Sequence, residues 1–147
     1  MQENFDNTIQ IIHKFSQPPS KLWQAWTDPS IVKKWFGSDP EGTVLEAQLD
    51  VRLGGSFKVH FANSNGSEFT AKGNYNVVEL NKKLEFTWSW EDRPEVVEFV
   101  SVEFQPETDG TLMYFEHHNI DINSAHNYSE GWRSTFTKLE KAINKSS

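Results

Sequence analysis

The chain has 147 residues, the length of one domain, and its 36% hydrophobic and 24% charged residues exclude a disordered or collagen-like polymer. The 14 basic and 21 acidic residues leave a formal charge of -7, which repels phosphate backbones and anionic bilayers and removes nucleic acid from the expected partners. With no cysteine there are no disulfides, thiol nucleophiles or thiolate metal sites, while the 11 Phe, 6 Trp and 3 Tyr make 14% of the chain aromatic and require an interior to hold them.

The opening residues 1–7 are acidic and polar, without the basic start and apolar run of a signal peptide, so a cytoplasmic location is expected. Ile9 to Phe15 is β-branched and partly alternating, and Gln17-Pro18-Pro19 ends it, which predicts a first strand. Leu22, Trp23 and Trp26 follow at helical spacing. Thr27-Asp28-Pro29 then offers a capping carboxylate and a proline at a first helical position, which predicts two short helices, the second running through Ile31, Val32 and Trp35.

From Thr43 to about Asn119 the period changes to two. Leu45/Ala47/Leu49, Phe57/Val59/Phe61, Phe69/Ala71/Gly73/Tyr75/Val77, Leu84/Phe86/Trp88/Trp90, Val100/Val102/Phe104 and Met113/Phe115/His117 each read as the apolar side of a strand. Gly54-Gly55, Asn65-Gly66 and Asp109-Gly110 are turns short enough to join only antiparallel neighbours, so the middle of the chain is predicted to be a six-stranded meander. From about Ser124 to Asn144, the residues Tyr128, Trp132, Phe136, Leu139 and Ile143 draw one apolar stripe along a helix of roughly 30 Å. Mid-helix Gly131 costs about 1 kcal/mol against alanine, which points to a close approach of backbone at that place. A one-faced sheet and a one-striped helix bury each other by packing together. With no repeat and no linker, residues 1–147 are read as one folding unit.

Strand, two short helices, six strands and a long terminal helix is the order of the helix-grip fold, in which a curved antiparallel sheet wraps the last helix. The local motifs resemble one branch of the START/Bet v-like superfamily, the domain family named after the activator of the heat-shock-protein-90 ATPase. They are Trp23-Gln24-Ala25-Trp26-Thr27-Asp28-Pro29 with Trp35, Asp50 to Phe57, Gly73-Asn74-Tyr75, Leu84 to Trp90, Gly110-Thr111 leading to His117, and Gly131-Trp132 before Phe136 and Leu139. Leu53 and Asn81-Lys82-Lys83 depart from the family pattern, away from the proposed interior. The resemblance implies an α+β helix-grip domain that holds a hydrophobic or amphipathic small molecule between sheet and helix. Its name adds a second reading, a stress-response co-regulator with a heat-shock chaperone as partner.

The expected ligand-binding residues are Trp35, Phe57, Tyr75, Trp88, Trp90, Phe115, His117, Tyr128, Trp132 and Phe136, large rings set among the small Ala47, Ala71 and Gly73. The same rings can instead interlock as a filled core, and the sequence alone leaves both outcomes open. His117 ends an inward alternation and is either a ligand contact, an acid or base of a cyclase- or hydrolase-like enzyme, or a buried histidine satisfied by a neighbour. Glu98 is in phase with Val100 and Val102 but is read as a solvated strand end, since a buried unpaired carboxylate is costly. Arg52 is read as a surface arginine, with an anion-receiving role as the alternative.

His13, His60, His117, His118 and His126 lack zinc-site spacing, and no phosphate-binding glycine loop or nucleophile elbow occurs, so no metal, cofactor or catalytic residue is expected. Leu112 and Tyr114 face outward in phase, which leaves a homodimer contact open.

Overall fold

Turn chemistry sets the topology. Gly54, Gly66 and Gly110 all have positive φ (84°, 95° and 154°), a conformation open to glycine at little cost, and each turns the chain back on its predecessor. The computed structural model describes residues 7–120 and 125–144. In chain order it contains β1 (Asn7–Phe15), α1 (Pro19–Thr27), α2 (Pro29–Trp35), β2 (Thr43–Leu49), β3 (Ser56–Ala62), β4 (Glu68–Glu79), β5 (Lys83–Trp90), β6 (Glu98–Glu107), β7 (Gly110–Ile120) and α3 (Ala125–Asn144). The seven strands form one antiparallel sheet in the order β1-β7-β6-β5-β4-β3-β2, so the predicted meander is continuous and β1 closes onto its last strand. This is the helix-grip arrangement.

Asp28 joins the two short helices by serving both. It is the C-cap of α1 and the N-cap of α2, and its carboxylate accepts from the Ser30 amide (2.9 Å) and hydroxyl (2.8 Å). A cap of this type is worth about 1 kcal/mol. Proline at the start of each helix lacks the N–H that a first turn leaves unpaired.

Two strands break the simple alternation. A bulge between Val44 and Glu46 turns Leu45 outward (50% exposed), while Val44, Ala47 and Leu49 pack against the core. A second irregularity between Tyr75 and Val77 brings Val78 into contact with the core. Leu112 and Tyr114, expected as an exposed apolar pair, are half-buried on β7, which is flanked by β1 and β6.

Gly73 does not open space as a small inward residue would. A Cβ there would fall 1.9 Å from the Thr87 carbonyl oxygen and 2.8 Å from the Phe57 ring, so the glycine permits close strand approach and its surroundings are filled.

The position of α3 creates the functional geometry. Its backbone runs close to β1, α1 and α2, and its second half inserts Phe136, Leu139 and Ile143 into the core. Its first half faces β4 and β5 across a gap.

Candidate functional site

That gap is a cleft of about 700 Å³. Its floor comes from the sheet through Phe61, Trp88, Trp90 and His117, its roof from α3 through Tyr128, Gly131 and Trp132, and one end from Phe36, the residue that follows α2. Glu68, Phe69, Glu91, Asp92 and Arg93 are exposed and form the rim, so the cleft communicates with solvent there. The aromatic surface is continuous: Phe36 stacks on Trp88 at 5.8 Å, Trp88 meets Trp90 at 5.3 Å and Trp132 at 5.5 Å, and Phe69 meets Phe61 at 5.6 Å and Trp90 at 6.1 Å. Gly131 brings α3 down onto the loop after α2, where an added Cβ would lie 3.3 Å from the Ser38 Cβ. The Ser134 hydroxyl fixes that contact by donating to the Ser38 carbonyl at 2.7 Å.

Behind the cleft wall lies a polar chain whose directions follow from elementary valence. An indole N–H only donates, so Trp132 Nε1, 3.0 Å from His117 Nδ1, requires Nδ1 to be the accepting nitrogen. The imidazole proton is therefore on Nε2, which donates to Glu98 Oε1 at 2.8 Å. Glu98 Oε2 accepts from the Tyr128 hydroxyl at 3.3 Å, and that hydroxyl accepts from Trp90 Nε1 at 2.9 Å. Two donor chains thus converge on one carboxylate.

Glu98 is 6% exposed, which overturns its reading as a solvated strand end; the acceptor demand of His117 and Tyr128 accounts for its burial. Burial holds the His117 pKa below its ordinary value, outweighing the favourable pull of Glu98. Burial likewise pushes the Tyr128 pKa up to about 12. Both side chains are neutral at physiological pH.

The family model described as Activator of Hsp90 ATPase homolog 1-like protein matches residues 16–144. The chain belongs to this family. A comparison with the curated proteins finds no match. Among solved structures, a protein from Nitrosomonas europaea superposes with a TM-score of 0.82 at 22% identity, covering 94% of each chain. One from Chromobacterium violaceum gives 0.82 at 22% identity over 95% of this chain and 99% of that one. An AHSA1-like protein from Aeromonas hydrophila gives 0.79 at 21% identity over 94% and 92%. These likenesses establish the helix-grip fold; the chemistry of the cleft has to be read from this chain's own residues.

On this family's scaffold the expected ligand-binding residues separate into two groups. Trp88, Trp90, His117, Tyr128 and Trp132 all line the cleft. Trp35, Phe57 and Tyr75 instead border a void of about 20 Å³ deeper in the molecule, and Phe115 and Phe136 pack against each other at 5.0 Å, away from the cleft. The first group lies where the first half of α3 stands off from the sheet, and the second lies among packed core rings.

Phe36, Phe61 and Phe69 also line the cleft and Glu98 backs it, although none of the four is among the expected ligand-binding residues. Phe61 and Phe69 are direct cross-strand partners, a register set by a three-residue loop, 64–66, across which the Asn63 N–H donates to the Ser67 carbonyl at 2.8 Å; a two-residue Asn65-Gly66 turn would instead have set Phe61 opposite Thr70. Phe36, at the end of α2, carried no periodic signal. Arg52, considered above as an anion receptor, is turned onto the Asp50 carboxylate at 2.9 and 3.0 Å.

Proposed function

We propose that the protein binds an amphipathic small molecule, with the ligand's apolar body lying on the aromatic floor formed by Phe61, Trp88 and Trp90 and beneath Tyr128 and Trp132 of α3. The observation that supports this reading is the cleft itself: about 700 Å³, open at one rim and walled by rings, which is the size and surface that drug-sized ligands occupy. Burying such a ligand removes apolar area from water at about 25 cal/mol per Å² before the cost of immobilisation is subtracted.

The site is a receptor rather than a reaction centre in this reading. His117 has no exposed surface, and both of its nitrogens are engaged, Nδ1 by Trp132 and Nε2 by Glu98, so neither lone pair nor proton is offered to a substrate.

The test is native mass spectrometry of freshly purified protein, followed by titration of its tryptophan fluorescence with a panel of lipids and aromatic compounds. A retained mass adduct, or saturable quenching that is lost in Trp90→Ala, is the expected result. A chain that carries no adduct and responds to no member of the panel overturns the reading. The family's name supplies a rival, action on the Hsp90 ATPase, and stimulation of that ATP turnover by ligand-free protein would displace the binding role.

A further inference from the structure

The polar chain behind the cleft specifies the sign of charge that the cleft receives, an inference that rests on the binding reading above and narrows it. The wall residues Trp90, His117, Tyr128 and Trp132 own four strong N–H or O–H donors, and all four point away from the ligand space. Trp90 donates to Tyr128, Tyr128 and His117 donate to Glu98, and Trp132 donates to His117. The Trp88 N–H is fully buried and shows no surface to the cleft either. His117 is fully buried, so what Trp90, Tyr128 and Trp132 present to a guest is ring face, whose quadrupole is negative. An anionic headgroup placed against these three rings would meet none of their donors.

The same chain concentrates negative charge. Glu98 is buried, and its two partners, His117 and Tyr128, are neutral side chains, so the carboxylate is held by hydrogen bonds and not by an ion pair with a cationic side chain. Both of those partners line the cleft, which sets the charge one side chain behind the ligand. At the rim Glu68, Glu91 and Asp92 outnumber Arg93; Glu91 lies 3.7 Å from Lys58, and Glu68 accepts from or pairs with His60 at 2.8 Å. Among the described residues Arg93 is the one basic residue of the lining and acts on the Tyr128 hydroxyl from the rim, against three rim carboxylates and the buried Glu98, so the balance of charge around the cleft is negative.

We propose that the ligand is cationic: an amphipathic amine or quaternary ammonium compound whose positive end lies against the Trp90 and Tyr128 rings, toward Glu98, with its hydrocarbon part running along Trp88, Phe36 and Trp132. Cation–π contact and a compensating charge then act at the same end of the cleft.

Three probes of equal chain length test the assignment on the full chain by tryptophan fluorescence: octyltrimethylammonium, octanol and octanoate. Octyltrimethylammonium is expected to bind at least tenfold more tightly than octanoate, with octanol between them. The preference persists in 0.5 M NaCl, because a buried charge is screened far less than rim carboxylates. In Glu98→Gln the cation-to-anion ratio falls severalfold toward unity. Octanoate binding as tightly as the ammonium compound overturns the inference in favour of Arg93, and so does octanol binding as tightly as the ammonium compound. Either outcome leaves the cleft a ligand site. Failure of all three probes to bind overturns the binding reading and the cation with it. The probe comparison on the unaltered chain decides the matter even if Glu98→Gln does not fold.

Discussion

Two halves of one interior use the same residue types to opposite ends. Beneath α1, α2 and the second half of α3, rings close on each other: Trp26 on Trp35 at 4.9 Å, Phe57 on Phe86 at 5.2 Å, Phe115 on Phe136 at 5.0 Å, with a void of about 20 Å³ beside the first two pairs. Beneath the first half of α3, ring spacings within each wall are similar, yet the walls stand apart around about 700 Å³. Aromatic density therefore does not distinguish core from site in this fold. The distance between helix and sheet does, and the residues that hold it (Gly131 against Ser38, Ser134 on the Ser38 carbonyl) are small and polar.

The filled half carries the stability, and the sharpest way to show this is to hollow it. Trp35 is 1% exposed and its indole N–H donates to the Ala25 carbonyl at 3.0 Å. Trp35→Ala removes that bond and leaves a large cavity, with an expected loss of about 3–5 kcal/mol in urea denaturation. A loss below about 1.5 kcal/mol would show that this half is as loosely packed as the other.

The next effect comes from the boundary between the halves, where the polar chain holds the cleft wall in place. Glu98→Leu deprives the His117 Nε2–H and the Tyr128 hydroxyl of their acceptor, and it is expected to cost about 2–3 kcal/mol. Glu98→Gln retains a carbonyl acceptor and should cost less. Denaturation curves in which the two variants are equal would mean that the carboxylate is present for its charge alone.

How much of this was legible in the sequence depends on whether the governing signal was local. Strand alternation and glycine turns are local, so the meander, the capping at Asp28 and the stripe of α3 could be read directly, and Trp88, Trp90, His117, Tyr128 and Trp132 fell on the right faces. Leu45 and Val77 were misplaced because a bulge shifts the phase without a distinctive residue. Glu98 was misread because its burial is decided by partners 19 and 30 residues away, His117 and Tyr128. The division of the rings between core and cleft was illegible for the same reason, since the stand-off of α3 depends on a loop contact at Ser38 that carries no periodic pattern.

Acid should loosen the boundary more gently. His117 is neutral when folded, with its pKa held below the ordinary value by burial, so the unfolded chain binds a proton first as the pH falls. The resulting stability is fully present above about pH 6.5 and is lost on acidification, at up to about 1.4 kcal/mol per pH unit, until the folded-state pKa is reached. His117→Gln can accept from Trp132 and donate to Glu98 without titrating, so its stability profile should be flatter across this window than that of the parent chain. Subtracting the two profiles removes the contributions of His13, His60 and His118, which sit beside Glu140, Glu68 and Glu116. A difference curve that is flat between pH 7.5 and 5.5 would show that His117 ionises as easily in the fold as outside it.

The smallest effect on stability should fall on the hollow half and the largest on its affinity. Phe69 is 38% exposed on the cleft rim, touching Phe61 at 5.6 Å and Trp90 at 6.1 Å. Its truncation removes surface that is already partly wet. Phe69→Ala should therefore cost no more than about 1 kcal/mol in denaturation, while a ligand lying on the floor loses a ring of contact at the mouth and binds roughly 5–10-fold more weakly. Measured side by side with Trp35→Ala, which should unfold easily but leave the walls of the cleft chemically intact, Phe69→Ala separates packing from recognition. A Phe69→Ala protein destabilised as much as Trp35→Ala would mean that the cleft rings are core residues, with the gap between the walls closed in solution.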